Sequence, residues 1–93
     1  MSSNHKWQIH STVAFQRVEE GFFVITPDNA LHQLQNPVAI CLWEKLDEGV
    51  STLEGLITCI CDEFEVSPTE AERDIIEFLE TGVTRDLLTR VES

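Results

Sequence analysis

The chain has 93 residues, of which six are Lys or Arg and 17 are Asp or Glu, so its net charge is −11 at pH 7. This excess of acid argues against nonspecific binding to nucleic acid and to anionic membranes, because both depend on Lys and Arg. A hydrophobic fraction of 42% is too high for a disordered chain. The charge is uneven: residues 1–43 hold three acids and two bases, and residues 44–93 hold fourteen acids and four bases. We therefore expect one small domain whose C-terminal half faces water or a basic partner.

Residues 1–11 are mostly polar, which predicts a flexible N-terminal segment before a single domain at residues 12–90. This segment has no apolar stretch typical of a signal peptide, and no apolar run in the chain approaches the ~20 residues that span a bilayer. Three cysteines are an odd number, which disfavours a closed set of disulfides. We therefore expect a cytoplasmic protein.

The next part of the chain reads as three short strands, at residues 13–18, 22–26 and 30–35. The second run is aromatic and β-branched, which is the strongest strand signal in the sequence. Turn residues separate the runs, with Gly21 in the first gap and Pro27 in the second. Tight turns between three short strands predict an antiparallel meander.

Three helices are predicted after the strands. Asn36 is a suitable N-cap for the first helix, and Gly49 is a natural stop for it. Capping boxes at residues 51–54 and 67–70 predict the starts of the second and third helices. The third helix is expected to bury a stripe of five residues, Ala71, Ile75, Phe78, Leu79 and Val83. The pair at residues 87–88 is either a last turn or a short strand, so the fold class is α+β.

No catalytic constellation can be assembled from these residues. The four glycines are scattered, so there is no phosphate-binding loop. Cys59 and Cys61 point about 200° apart on a helix, so they cannot share a tetrahedral metal site locally. The histidines show no ligand spacing, and the carboxylates mostly lie outside the apolar stripes. We therefore expect no enzymatic activity, no metal and no cofactor.

Two features are not explained by folding alone. The third strand is an edge of the predicted meander, and it carries no Lys, Pro or acid that would block pairing with another strand. Ile76 lies beside the buried stripe of the third helix, where one large apolar side chain can face outward. Together they predict a groove for an extended peptide. The candidate peptide-binding residues are Ala30, Leu31, His32, Gln33, Leu34, Glu72, Arg73, Ile76 and Glu80.

The order of motifs resembles a known family over residues 13–88. The stretch LQNPVAICLW at residues 34–43 is similar to the pattern L-N-x-x-A-x-x-I-W, with one extra residue before Asn. Further similar pieces follow in order at residues 46–49, 52–56, 64–66, 74–79 and 87–88. The family is that of small proteins typified by pyrroloquinoline quinone biosynthesis protein D. Two positions depart from it: Asp86 stands where the family usually has Gly, and Gly82 is expected to interrupt the third helix.

The resemblance implies a winged-helix-like domain without catalysis of its own. Members bind the leader of a ribosomally made precursor peptide as an added strand and present it to a modifying enzyme, often a radical S-adenosylmethionine (SAM) enzyme. On this expectation Ile76 anchors the peptide and Arg73 meets a leader carboxylate. Glu72 and Glu80 favour Lys or Arg elsewhere in the peptide.

Four alternatives stay open at this level. The third strand can be covered by the N-terminal segment or by a second copy of the chain, and the apolar stripe can simply be wide. A winged-helix DNA-binding regulator shares the helical core, but the third helix offers one Arg against five acids at residues 68–81. A homodimeric docking module without a peptide ligand also uses free strand edges.

Overall fold

The computed structural model describes residues 5–19 and 21–92. Its elements run in the order β1 (His5–Ile9), β2 (Ala14–Val18), β3 (Gly21–Ile25), β4 (Leu31–Leu34), α1 (Pro37–Glu48), α2 (Leu53–Glu63), α3 (Pro68–Thr84) and β5 (Leu88–Glu92). The strands β2, β3 and β4 form a three-stranded antiparallel sheet in that order, and three helices follow it. The predicted α+β class, with a meander before the helices, is confirmed.

Local backbone chemistry fixes the register of this sheet. In the turn between β3 and β4, Thr26 accepts a hydrogen bond from the Asn29 N–H (2.9 Å) and donates its own N–H to Ala30 (3.1 Å). Asn29 takes a left-handed conformation there, with φ of 66°. At the other end of β3, a Cβ on Gly21 would lie 1.8 Å from the Leu34 carbonyl oxygen, so only glycine fits. These two ends hold β4 against β3, and no described strand pairs with the other edge of β4.

The helix boundaries follow the predicted caps with one shift. Asn36 accepts from the Val38 N–H (2.8 Å) at the start of α1, and Ser67 accepts from the Glu70 N–H (3.2 Å) at the start of α3. The start of α2 differs from the prediction, because Thr52, not residue 51, accepts from the Gly55 N–H (3.1 Å). Residue 51 instead accepts the N–H of Trp7 on β1, which draws this stretch into extended backbone.

A second sheet of two strands departs from the sequence prediction. Residues 5–9, expected to lie in a flexible segment, form β1 and pair antiparallel with β5. The strand alternative for the C-terminal apolar pair is thus the one that the structure adopts. Residues 1–4 of the expected segment lie outside the described residues, and the domain boundary at residue 12 stays a prediction.

The core lies between the helices and the inner face of the meander. Its largest fully buried side chains are Trp43, Leu42, Leu56, Ile60, Ile75, Leu79, Leu88 and Val24. The expectation that Gly82 interrupts the third helix is wrong, since α3 continues to Thr84. A Cβ on Gly82 would lie 2.6 Å from Leu88 Cδ1, so the bare backbone is what lets β5 pack against the helix. In the part of the chain that the structure describes, every helix is too short or too polar to cross a membrane.

Candidate functional site

A groove of about 630 Å³ lies between β4 and α3, and we call it the β4–α3 groove. One wall is β4 itself, and α1 and the apolar pair Leu87 and Leu88 contribute to the lining. From α3 and its C-cap, the groove is lined by Asp74, Glu77, Phe78, Thr81, Gly82 and Arg85. The groove therefore joins an unpaired strand edge to one face of the longest helix.

The β4 wall offers backbone groups to a ligand. β4 pairs with β3 on one side, and no described strand pairs with its other edge. Its side chains alternate, so that Leu31 and Gln33 are exposed while His32 and Leu34 are half-buried. Leu31 is 63% exposed, which is high for a large apolar side chain. Residues 5–9 of the N-terminal segment form β1, which pairs with β5, so this described stretch does not cover the edge.

The centre of the groove is apolar. Phe78 of α3 is half-buried and packs against the core, and Leu42 and Trp43 of α1 are fully buried. Val38 and Leu34 line the same groove. An extended ligand can therefore bury one apolar side chain here while its backbone pairs with β4.

The structure separates the helix residues of the predicted site from its strand residues. Leu31, His32, Gln33 and Leu34 line the β4–α3 groove. Ile76 and Glu80 line a second cavity, on the side of α3 that faces β1 and β5. Glu72 and Arg73 are exposed and line neither cavity, and Ala30 lies in the turn just before β4.

The cause of this separation is the geometry of α3. Residues two apart on a helix point about 200° apart, so Ile76 and Phe78 face opposite sides. The buried stripe of α3 has two flanks, and Ile76, the anchor predicted from the sequence, lies on the flank away from β4. The groove flank was marked only by its spacing: Asp74, Phe78, Thr81 and Arg85 recur at three- and four-residue steps.

The turn that leads into β4 is held by a carboxylate. The Thr26 hydroxyl donates to Asp28 Oδ1, and the Ala30 N–H lies 3.4 Å from the same oxygen. These hydrogen bonds, with a smaller contribution from the nearby His32, lower the pKa of Asp28 from its ordinary value of 3.8. The ionised carboxylate thus fixes the turn from which the free edge begins.

The cysteines lie away from the groove and are all free thiols. Cys41 in α1 is buried, and burial, with a smaller contribution from Glu63, raises the pKa of its thiol above the ordinary 9.0. Cys59 and Cys61 on α2 are half-buried. No group of three His, Cys, Asp or Glu residues is placed to hold a metal ion among the residues described.

The family model for coenzyme PQQ synthesis protein D (PqqD) matches residues 30–88. The chain belongs to the PqqD family. The matched stretch starts in the turn before β4 and ends at the first residue of β5, so it holds both walls of the groove. The resemblance found in the sequence is thereby confirmed. No curated protein matches the chain by sequence.

Two solved structures share the fold of this PqqD-family chain. TbiB1 in complex with the TbiA(beta) leader peptide is 24% identical, with a TM-score of 0.81 over 87% of this chain and 93% of that one. Lasso peptide synthetase B1 complexed with the leader peptide is 19% identical, with a TM-score of 0.79 over 89% of this chain and 96% of that one. At these identities the likeness establishes the fold, which extends over nearly the whole of both neighbours.

Proposed function

We propose that this protein is a noncatalytic peptide-recognition element that binds the leader of a ribosomally synthesised precursor peptide by strand addition in the β4–α3 groove. The observation that carries the proposal is the free edge of β4 beside an apolar groove. Membership of the PqqD family supports it, and so does the fact that both structural neighbours are complexes with leader peptides.

In this mode affinity comes from main-chain hydrogen bonds along Leu31–Leu34 and from one buried apolar side chain of the peptide. In this proposal the anchoring contact is made with Phe78, which lines the groove together with Leu42 and Trp43, rather than with Ile76. The exposed side chains Leu31 and Gln33 lie beside the added strand on the outer face of the sheet.

The bound leader is then presented to an enzyme that modifies the rest of the peptide. A protein of this size with a binding groove and no catalytic constellation acts by holding the substrate, so the chemistry belongs to a partner. A radical SAM enzyme is one such partner, and any other peptide-modifying enzyme fits the same role. The pathway can be that of pyrroloquinoline quinone or of another modified peptide.

A matched pair of substitutions tests the placement of the site. Phe78→Asp and Ile76→Asp change two half-buried apolar residues of one helix, but only Phe78 lines the groove. The probes are fluorescein-labelled leaders of short precursor peptides encoded near the gene, measured by fluorescence anisotropy. We expect Phe78→Asp to weaken binding by at least tenfold, about 1.4 kcal/mol, and Ile76→Asp to bind nearly as wild type.

Thermal melts of both variants identify a change that merely unfolds the domain. If Ile76→Asp loses binding and a folded Phe78→Asp does not, the ligand lies on the β1–β5 side of α3, against the residue that the sequence predicted as the anchor. If no leader binds wild type, the proposed function is wrong.

Pairing of two β4 edges into a homodimer is the competing use of the same surface. Sedimentation velocity with and without peptide distinguishes the two. A monomer, or a dimer that the peptide dissociates, supports peptide binding at β4. A dimer that no leader dissociates supports a docking module instead.

A further inference from the structure

The groove face of α3 carries opposite charges at its two ends. Asp74 and Glu77 line the groove towards the start of the helix, and Arg85 lines it at the C-cap. Phe78 lies between them. All three charged side chains are exposed, and none has an ion-pair or hydrogen-bond partner among the residues described. They are therefore available to a ligand.

The other wall does not carry a comparable pattern. Leu31–Leu34 holds no acid, Lys or Arg, and its one ionisable residue is His32. The part of α1 that lines the groove is apolar apart from its cap residue Asn36. Recognition of charge in the groove thus rests on Asp74 and Glu77 in the middle of α3 and on Arg85 at its C-cap.

The distance between these ends sets a spacing in the ligand. Glu77 and Arg85 are eight positions apart, which is about 12 Å along a helix at 1.5 Å per residue. An extended strand rises about 3.3 Å per residue, so about four of its residues cover that distance. Side chains on one face of a strand recur every second residue, so two charged side chains that both face α3 must be separated by an even number of positions. A spacing of four satisfies both conditions.

On the basis of the proposed peptide-binding function, we propose that the groove selects a strand with an acidic and a basic side chain four positions apart. The acidic side chain lies against Arg85 and the basic one against Asp74 and Glu77. The two N-to-C orders of the motif correspond to parallel and antiparallel addition to β4, and the ligand uses one of them.

A charge swap in the groove tests this pairing. The swapped variant carries Asp74→Asn, Glu77→Arg and Arg85→Glu, which raises the net charge by one unit. The control Asp62→Asn raises it equally at an exposed position of α2 that lines neither cavity. Wild type, swapped variant and control are each used to select binders from a displayed library of random dodecapeptides. Circular dichroism verifies that all three are folded.

We expect wild type and control to enrich one order of the motif at a spacing of four, and the swapped variant to enrich the opposite order. For a selected peptide, reversing both charges should weaken binding to wild type by roughly tenfold, since each exposed pair contributes about threefold. The same reversal should strengthen binding to the swapped variant.

If the selected peptides are rich in Lys and Arg but show no fixed spacing to an acidic residue, the inference is overturned. Long-range attraction to an acidic protein then accounts for the selection, and the proposal of peptide binding is unaffected. An unchanged order in the swapped variant overturns it as well. If no library peptide is enriched and no precursor leader binds, the proposed function itself fails.

Discussion

Replacing Asp86 with Gly should stabilise the fold, because Asp86 combines two unfavourable features at the end of α3. Its φ is 60°, the left-handed conformation in which glycine carries no Cβ penalty. The conformation is required, since the Asp86 N–H donates to Val83 (3.1 Å) and the Leu87 N–H donates to Gly82 (2.8 Å), which closes the helix. Its carboxylate also lies at the negative end of the helix, whose last turn has no basic residue.

The expected change in the free energy of unfolding is the sum of three contributions. Relief of the left-handed strain is worth about 1–1.5 kcal/mol, and removal of the charge adds about 0.3–1 kcal/mol. The greater freedom of glycine in the unfolded chain costs about 0.5–1 kcal/mol. The net gain is about 1 kcal/mol, or a rise in Tm of about 4–8 °C for a domain of this size. Urea denaturation and thermal melts measure both quantities.

The control is Asp86→Asn, which removes the charge and keeps a residue that tolerates the left-handed region. It should gain only a few tenths of a kcal/mol, so the difference between the two variants reports the backbone strain. A glycine variant that is no more stable than wild type would refute the account of this helix end.

The remaining predictions concern packing, pH and thiol reactivity. Gly82→Ala should destabilise by about 1–2 kcal/mol because of the clash with Leu88, and a double-mutant cycle by urea denaturation should show a smaller loss in a Leu88→Val background. Because the pKa of Asp28 is lower in the folded state, its ionised carboxylate stabilises the fold above pH 3.8. This stabilisation is lost as the pH falls through the pKa of Asp28 in the folded state. The urea midpoints of wild type and Asp28→Asn should therefore converge on acidification from pH 5 to pH 2. At neutral pH, Cys41 should react with a maleimide more slowly than Cys59 and Cys61 of α2, because burial raises the pKa of its thiol and restricts access to it. Mass spectrometry follows the three reactions. Equal rates would contradict the burial of Cys41.

The parts of the fold that depend on neighbouring residues were predictable from the sequence. Asn36, Gly49 and Ser67 act within one helical turn of their own positions, so the boundaries of α1 and the start of α3 follow from local chemistry. The strand β1 was not predictable in this way. Its sequence, HKWQI, has no clean alternation, and it becomes a strand through pairing with β5 at the other end of the chain.

The lining of the β4–α3 groove was predictable only in half, for a related reason. The free edge of β4 follows from strand order and from the absence of blocking residues, both of which the sequence displays. The choice between the Ile76 flank and the Phe78 flank of α3 depends on how the helix is rotated about its axis relative to β4. That rotation is set by tertiary contacts, among them the packing of Leu88 under Gly82, which no pattern within the helix encodes.

The two departures from the family pattern, Gly82 and Asp86, therefore both act at the C-terminal end of α3. Gly82 lets Leu88 approach the helix axis, and the turn at Asp86 reverses the chain so that Leu87 and Leu88 can close that end. Arg85, the basic end of the proposed recognition pattern, lies between them in the chain. Its position relative to Glu77 depends on α3 continuing unbroken through Gly82. Gly82, which was expected to interrupt α3, is thus the residue on which the spacing between Glu77 and Arg85 depends.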